Sequence, residues 1–126
     1  MRIELLILAA IAVLSTPALA QQAQGDADAG AEIFAADCRA CHGGMIAPAL
    51  RGVVGRQIAT LPGYSGYSEA LKARTSQSWT EATLDTFLTA PADFAPGTLM
   101  SKSVPDPQMR ADIIAYLKSL PPPAAS

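Results

Sequence analysis

Histidine, cysteine, lysine and aromatic residues are all scarce in this 126-residue chain. Its one histidine and two cysteines fall within five consecutive positions, 38–42. Nothing of either kind is left for a second site elsewhere. Lysine occurs only as Lys72, Lys102 and Lys118, and the formal net charge is −2. Without a basic field, neither nucleic acid nor an anionic membrane surface is expected as a partner. Aromatic residues make up 6% of the chain, so a domain this short has few large side chains with which to build a core. Internal repeats and convincing strand patterns are also missing.

What is present concentrates in Cys38-Arg39-Ala40-Cys41-His42. The spacing C-x-x-C-H is that of a c-type haem attachment site. Two thiols three positions apart reach the two vinyl groups on one porphyrin edge and form thioethers. The next residue then offers an imidazole to the iron as proximal ligand. A thiol–disulfide pair is the first alternative, but it expects a βαβ context, and no β-rich run precedes Cys38. A closed zinc site is the second, and it needs four protein ligands where only three are available.

The N-terminus reads as an export signal. Arg2 supplies a basic start, although Glu4 is unusual beside it. An apolar run extends from Leu5 to Leu14, Pro17 follows, and Ala18-Leu19-Ala20 is a small-x-small cleavage site. The run is short for a membrane span. The expectation is a signal peptide over 1–20, cleavage after Ala20, a periplasmic location and one domain over 21–126. Arg2 and Glu4 cancel, so the mature net charge stays at −2.

The remaining pattern is helical with irregular loops. Asp26 or Asp28 can cap a first helix running to about Asp37, with Ile33, Phe34 and Cys38 on one side. Residues 43–63 are rich in Gly and Pro and read as a loop that wraps a cofactor. Ser68 to Ala73 can form a short helix. Trp79 to Thr89 forms another, with Leu84, Phe87 and Leu88 on one face and Pro91 as its stop. Pro91 to Pro105 reads as a second loop. Asp106-Pro107 offers a cap and a first-turn proline to a last helix whose inward face is Met109, Ile113, Tyr116, Leu117 and Leu120. Pro121-Pro122-Pro123 stops it, and the tail 121–126 is expected to be extended and mobile.

A second iron ligand has to come from methionine. Met1 leaves with the leader, Met45 is too close to His42 along the chain, and Met109 falls on a core face. Met100 follows a Pro96-Gly97 turn that can aim it inward. Gap-filling in the core is the other use for such a methionine.

From about Asp26 to Leu120 the chain resembles the class I, mitochondrial-type cytochromes c. The resemblance rests on Gly30, Phe34 and the haem motif, on Pro48, Gly55-Arg56, Gly63-Tyr64 and Tyr67, on Trp79-Thr80 and Leu84, on Pro96-Gly97-Thr98-x-Met100, and on Arg110 to Lys118. It implies an all-α cytochrome c fold, with three to five helices wrapped around one covalent haem c and crossing terminal helices. It further implies His42 and Met100 as the axial iron ligands. Gly30 and Phe34 would meet Tyr116 and Ile113 at the helix crossing. The Pro48 carbonyl would accept the His42 ring N–H, and Tyr64, Tyr67, Trp79 and Arg56 would attend a buried propionate. The chain departs from the family in a shorter loop between His42 and Pro48, a slightly longer Tyr64–Trp79 region and a depleted ring of docking lysines.

The function implied is one-electron shuttling between periplasmic or membrane redox partners met transiently. No enzymatic activity, no membrane insertion after processing and a monomeric state are expected. Two alternatives stand beside it: a haem subunit of a larger oxidoreductase, and a ligand-binding or peroxidatic haem protein with an open iron site. Because a covalent porphyrin would supply much of the apolar centre, haem-free protein should show no cooperative thermal transition by circular dichroism. The haem-loaded protein should melt in one step.

Overall fold

The computed structural model describes residues 23–124. The leader 1–20 and its cleavage point lie outside the described residues. Helix α1 (Ala27–Ile33) continues without a break through a π-helical turn (Phe34–Cys38) into α2 (Arg39–His42). After a long loop come α3 (Glu69–Lys72), α4 (Glu81–Thr89), α5 (Pro91–Phe94) and α6 (Pro107–Ser119). The fold is all-α, and no strand occurs among the described residues. Among the described residues the only pairing of strand type is an isolated antiparallel bridge, Gln57 with Ser78.

The helix starts follow the local chemistry. The Asp26 carboxylate accepts from the backbone N–H of Asp28 (2.9 Å) and Ala29 (3.3 Å), satisfying donors that a first turn leaves free. Ser68 does the same for Leu71. Thr80 and Thr83 cap one another reciprocally at α4. Asp106 accepts from Met109 N–H at 3.0 Å, with Pro107 in the first turn of α6.

Two expectations from the sequence need correction. Pro91 does not open a loop. It begins α5, where its missing N–H costs nothing because a first-turn N–H has no partner anyway. Met109 is not on the core face but 37% exposed. The inward position of that first turn goes to Arg110, whose head group reaches the carbonyls of Val104 and Pro105. At the other end, Pro122 and Pro123 lie near Gly52.

α1 crosses α6 at very short range. A β-carbon at Gly30 would collide with the Asp112 carbonyl, and one at Gly25 with that of Ala111. The Phe34 and Tyr116 rings meet at 5.3 Å, and Ile113 is almost fully buried beside them. Buried Asp112 accepts from Asp26 N–H at 2.8 Å and from Gln108 Nε2 at 2.9 Å. Its carboxylate is therefore satisfied, as a buried charge must be, and it fastens the start of α1 to α6.

The loop 43–67 is held against the segment 77–79. Gly55 N–H donates to Trp79 O, Trp79 N–H to Arg56 O and Ile58 N–H to Gln77 O, at 2.8–2.9 Å. Ile58 is wholly buried under these bonds. Trp79 closes an aromatic cluster with Phe87 (5.1 Å) and Phe94 (5.8 Å), and the Arg74 guanidinium lies 4.2 Å above Phe94.

Gly30→Ala tests the crossing. Helix propensity alone favours alanine by about 1 kcal/mol, but here its methyl meets a carbonyl on a neighbouring helix. The expected net result is a loss of about 1–3 kcal/mol in denaturant unfolding.

Candidate functional site

α2, the loop after it, α4, α6 and the segment 98–102 enclose a cleft of about 250 Å³. Cys38, Cys41, His42, Pro48, Arg56, Tyr64, Tyr67, Trp79 and Met100 all line it, so the fold gathers every site residue singled out from sequence. The rest of the lining is largely apolar: Phe34, Leu50, Val53, Leu71, Leu84, Phe87, Leu88, Ile113 and Leu117 contribute to it. Leu50, Val53 and Leu71 carried no site signal in the sequence. Their place on the wall comes from the loop's course rather than from any periodicity.

The π-helical turn carries Cys38 and joins α1, packed on α6, to Cys41 and His42 in α2. Arg39 N–H bonds to Phe34 O, five residues back, where an α-helix would use the fourth. Both thiols are free, with Cys38 partly covered and Cys41 exposed. Burial pushes the Cys38 thiol above its usual range. Asp37 raises it further, and Lys102 works in the opposite direction.

His42 Nδ1 lies 2.8 Å from the Pro48 carbonyl. A carbonyl can only accept, so Nδ1 is the donor, and in a neutral imidazole this leaves the lone pair on Nε2. Such a bond orients a ligating imidazole and strengthens it as a donor. The loop between them is compact, with Ala47 N–H bonded to Cys41 O at 3.3 Å. It turns Met45 outward, to 97% exposure, and leaves Ile46 on the cleft wall. Of the described methionines, Met100 alone lines the cleft.

Arg56 reaches two backbone carbonyls, Arg51 O through Nη1 (3.2 Å) and Ala49 O through Nη2 (3.1 Å). Burial pulls its guanidinium pKa down, with Tyr67 acting the other way. The Tyr67 phenol is pushed up by burial, with the Leu61 backbone and Arg56 opposing that shift and Tyr64 adding to it. Tyr64 and Tyr67 pack edge to face at 4.8 Å. A desolvated cation beside neutral phenols in an apolar cleft suits an anionic group bound there.

At the rim, Lys102 Nζ pairs with Asp37 Oδ1 at 3.1 Å. The other two lysines are also paired, Lys72 with Glu69 and Lys118 with Glu81.

The donors therefore fit a haem c: two adjacent thiols, an imidazole with a free Nε2, a thioether, apolar walls and a cationic polar end. Comparison with known proteins agrees. Residues 27–121 match the family model described as Cytochrome c. The chain is 43% identical over 102 residues to the cytochrome c-type cyt cy of Rhodobacter capsulatus, covering 77% of this chain and spanning half the length of that relative. It is 45% identical to the cytochrome c of Gossypium barbadense, over 75% of this chain and 89% of that one. With the cytochrome c2 of Rhodopila globiformis it shares 41% identity, over 76% and 94%. The solved structure of cytochrome cH from Methylobacterium extorquens superposes with a TM-score of 0.67 at 40% identity, covering 75% of this chain and 99% of that one. The chain belongs to the cytochrome c family of electron carriers, whose members hold a single covalent haem c.

Proposed function

We propose that residues 21–126 form a monomeric one-electron carrier, freed from a leader cut after Ala20, that shuttles electrons between periplasmic or membrane redox proteins. The observation that supports this most is the meeting of His42 and Met100 in one apolar cleft that holds both thiols. Haem c bound there supplies an iron that exchanges one electron at a time.

Cys38 Sγ and Cys41 Sγ would tether the group. His42 Nε2, steadied by the Pro48 carbonyl, and Met100 Sδ would hold its iron. With both ligands supplied by the protein, the iron would serve electron shuttling and not the transformation of small molecules. The apolar wall and the soft, neutral thioether both disfavour the extra positive charge of the oxidised state and so raise the potential. Arg56, Tyr64, Tyr67 and Trp79 provide the donors and the charge that a buried propionate requires. Because every lysine is already paired, a partner is met briefly and with little long-range attraction.

Optical spectra in both redox states, acid-acetone extraction and carbon monoxide uptake test this reading. The pigment should stay with the polypeptide. The reduced protein should take up carbon monoxide slowly near neutral pH, and Met100→Ala should take it up rapidly. Extractable pigment, or rapid uptake by the unaltered protein, would sink the proposal. Arg56→Gln should lower stability by about 1 kcal/mol, since its half-exposed contacts are weakened by solvent. It should also lower the reduction potential by on the order of 50 mV, because removing a nearby cation favours the oxidised state. Chemical denaturation and spectroelectrochemistry read the two effects.

A further inference from the structure

Met100 lies in a span with few ties to the rest of the protein. Among the described residues, no backbone–backbone hydrogen bond involves residues 99–103. The span is fastened at its start by Thr98 N–H to Ala95 O (3.0 Å). Met100 N–H adds only a local bond to Thr98 Oγ1 at 3.4 Å. At its end, Val104 N–H donates to Leu88 O of α4 at 2.8 Å. One side chain completes that second anchor. Arg110 of α6, only 9% exposed, donates through Nη1 to the carbonyls of both Val104 and Pro105 at 2.9 Å. Its Nε donates to Asp85 Oδ1 of α4 at 2.7 Å.

A buried guanidinium cannot shed its proton, and it is tolerated only when charge and donors are both met. Here Asp85 meets the charge while the fork grips the loop stem. A lysine at this position would carry the charge but present a single point in place of a planar fork.

We propose that Arg110 is a positioning residue for Met100, clamping the stem at Val104 and Pro105 between α4 and α6 so that the thioether is held in the cleft. This rests on Met100 being an iron ligand. Loss of charge-assisted hydrogen bonds at the stem should enlarge the population in which the span swings away.

The test compares the haem-loaded protein with Arg110→Gln, Arg110→Lys and Asp85→Asn. Carbon monoxide uptake by the reduced forms and hydrogen exchange of the Val104 amide, which donates to Leu88 O, are measured under native conditions. Ile114→Ala, a buried position away from the cleft, serves as a control for general destabilisation at matched thermal stability. Uptake and exchange should both rise about ten-fold in Arg110→Gln, less in Arg110→Lys, and should stay near wild type in the control. Equal rises in the control and the Arg110 variants would overturn the inference. If Arg110→Gln does not accumulate, Arg110→Lys and Asp85→Asn carry the same comparison. Rapid uptake in Met100→Ala with no change in the Arg110 variants would overturn the clamp and leave the ligand assignment standing. Slow uptake in Met100→Ala would remove the ligand assignment, and hydrogen exchange at Val104 would still decide whether Arg110 holds the loop.

Discussion

The close crossing of α1 and α6 is the constraint on which the other parts of the structure depend. Gly30 lets the helix backbones touch, and Asp112 ties the first turn of α1 to the middle of α6. Because Ala27 to His42 is one unbroken helical run, that crossing also sets where Cys38, Cys41 and His42 project. Ile113 and Leu117 of α6 then become part of the wall those residues face. The two ends of the chain thus build the site together, and the loops close over it.

Polar groups inside the fold are used in one consistent manner. Asp112, Arg110 and Arg56 each reach main-chain atoms of another element or of a loop that local hydrogen bonds would not hold. A side-chain bond to a backbone group fixes a loop without requiring it to become a helix or strand. That suits a cleft whose walls are mostly loop. Each such charge also needs compensation once it leaves water. Asp85 supplies it for Arg110, and a bound anionic group would supply it for Arg56. Electrostatics at the surface are muted by comparison, since each lysine is matched by a carboxylate and such exposed pairs contribute little to stability. Their main consequence is a rim without a strong field.

Much of the fold was legible in the residue pattern. The caps at Asp106 and at Asp26, one of two candidates there, the first-turn Pro107 and the stop at Pro121 follow from local hydrogen bonding, which needs only near neighbours. The C-x-x-C-H spacing and the shortage of other histidines pointed to the cofactor for the same reason: ligand chemistry is written into residue type and separation. The Pro91 helix escaped that reading because proline can either end a helix or begin one, and the choice depends on Phe94 packing onto Trp79 and Phe87. Met109 escaped it because helical periodicity does not say how far a core extends along the helix.

The sequence by itself determined the kind of chemistry, the helical segments and the residues able to hold a haem, because each of these depends on short-range geometry. Tertiary structure decided the rest. It selected the course of the loop that turns Met45 outward and buries Ile58, the wall formed by Leu50, Val53 and Leu71, and the buried Arg110 that joins α4, α6 and the methionine segment. Those features arise from contacts between residues far apart in the chain, where competition for a limited interior settles which side chain goes in.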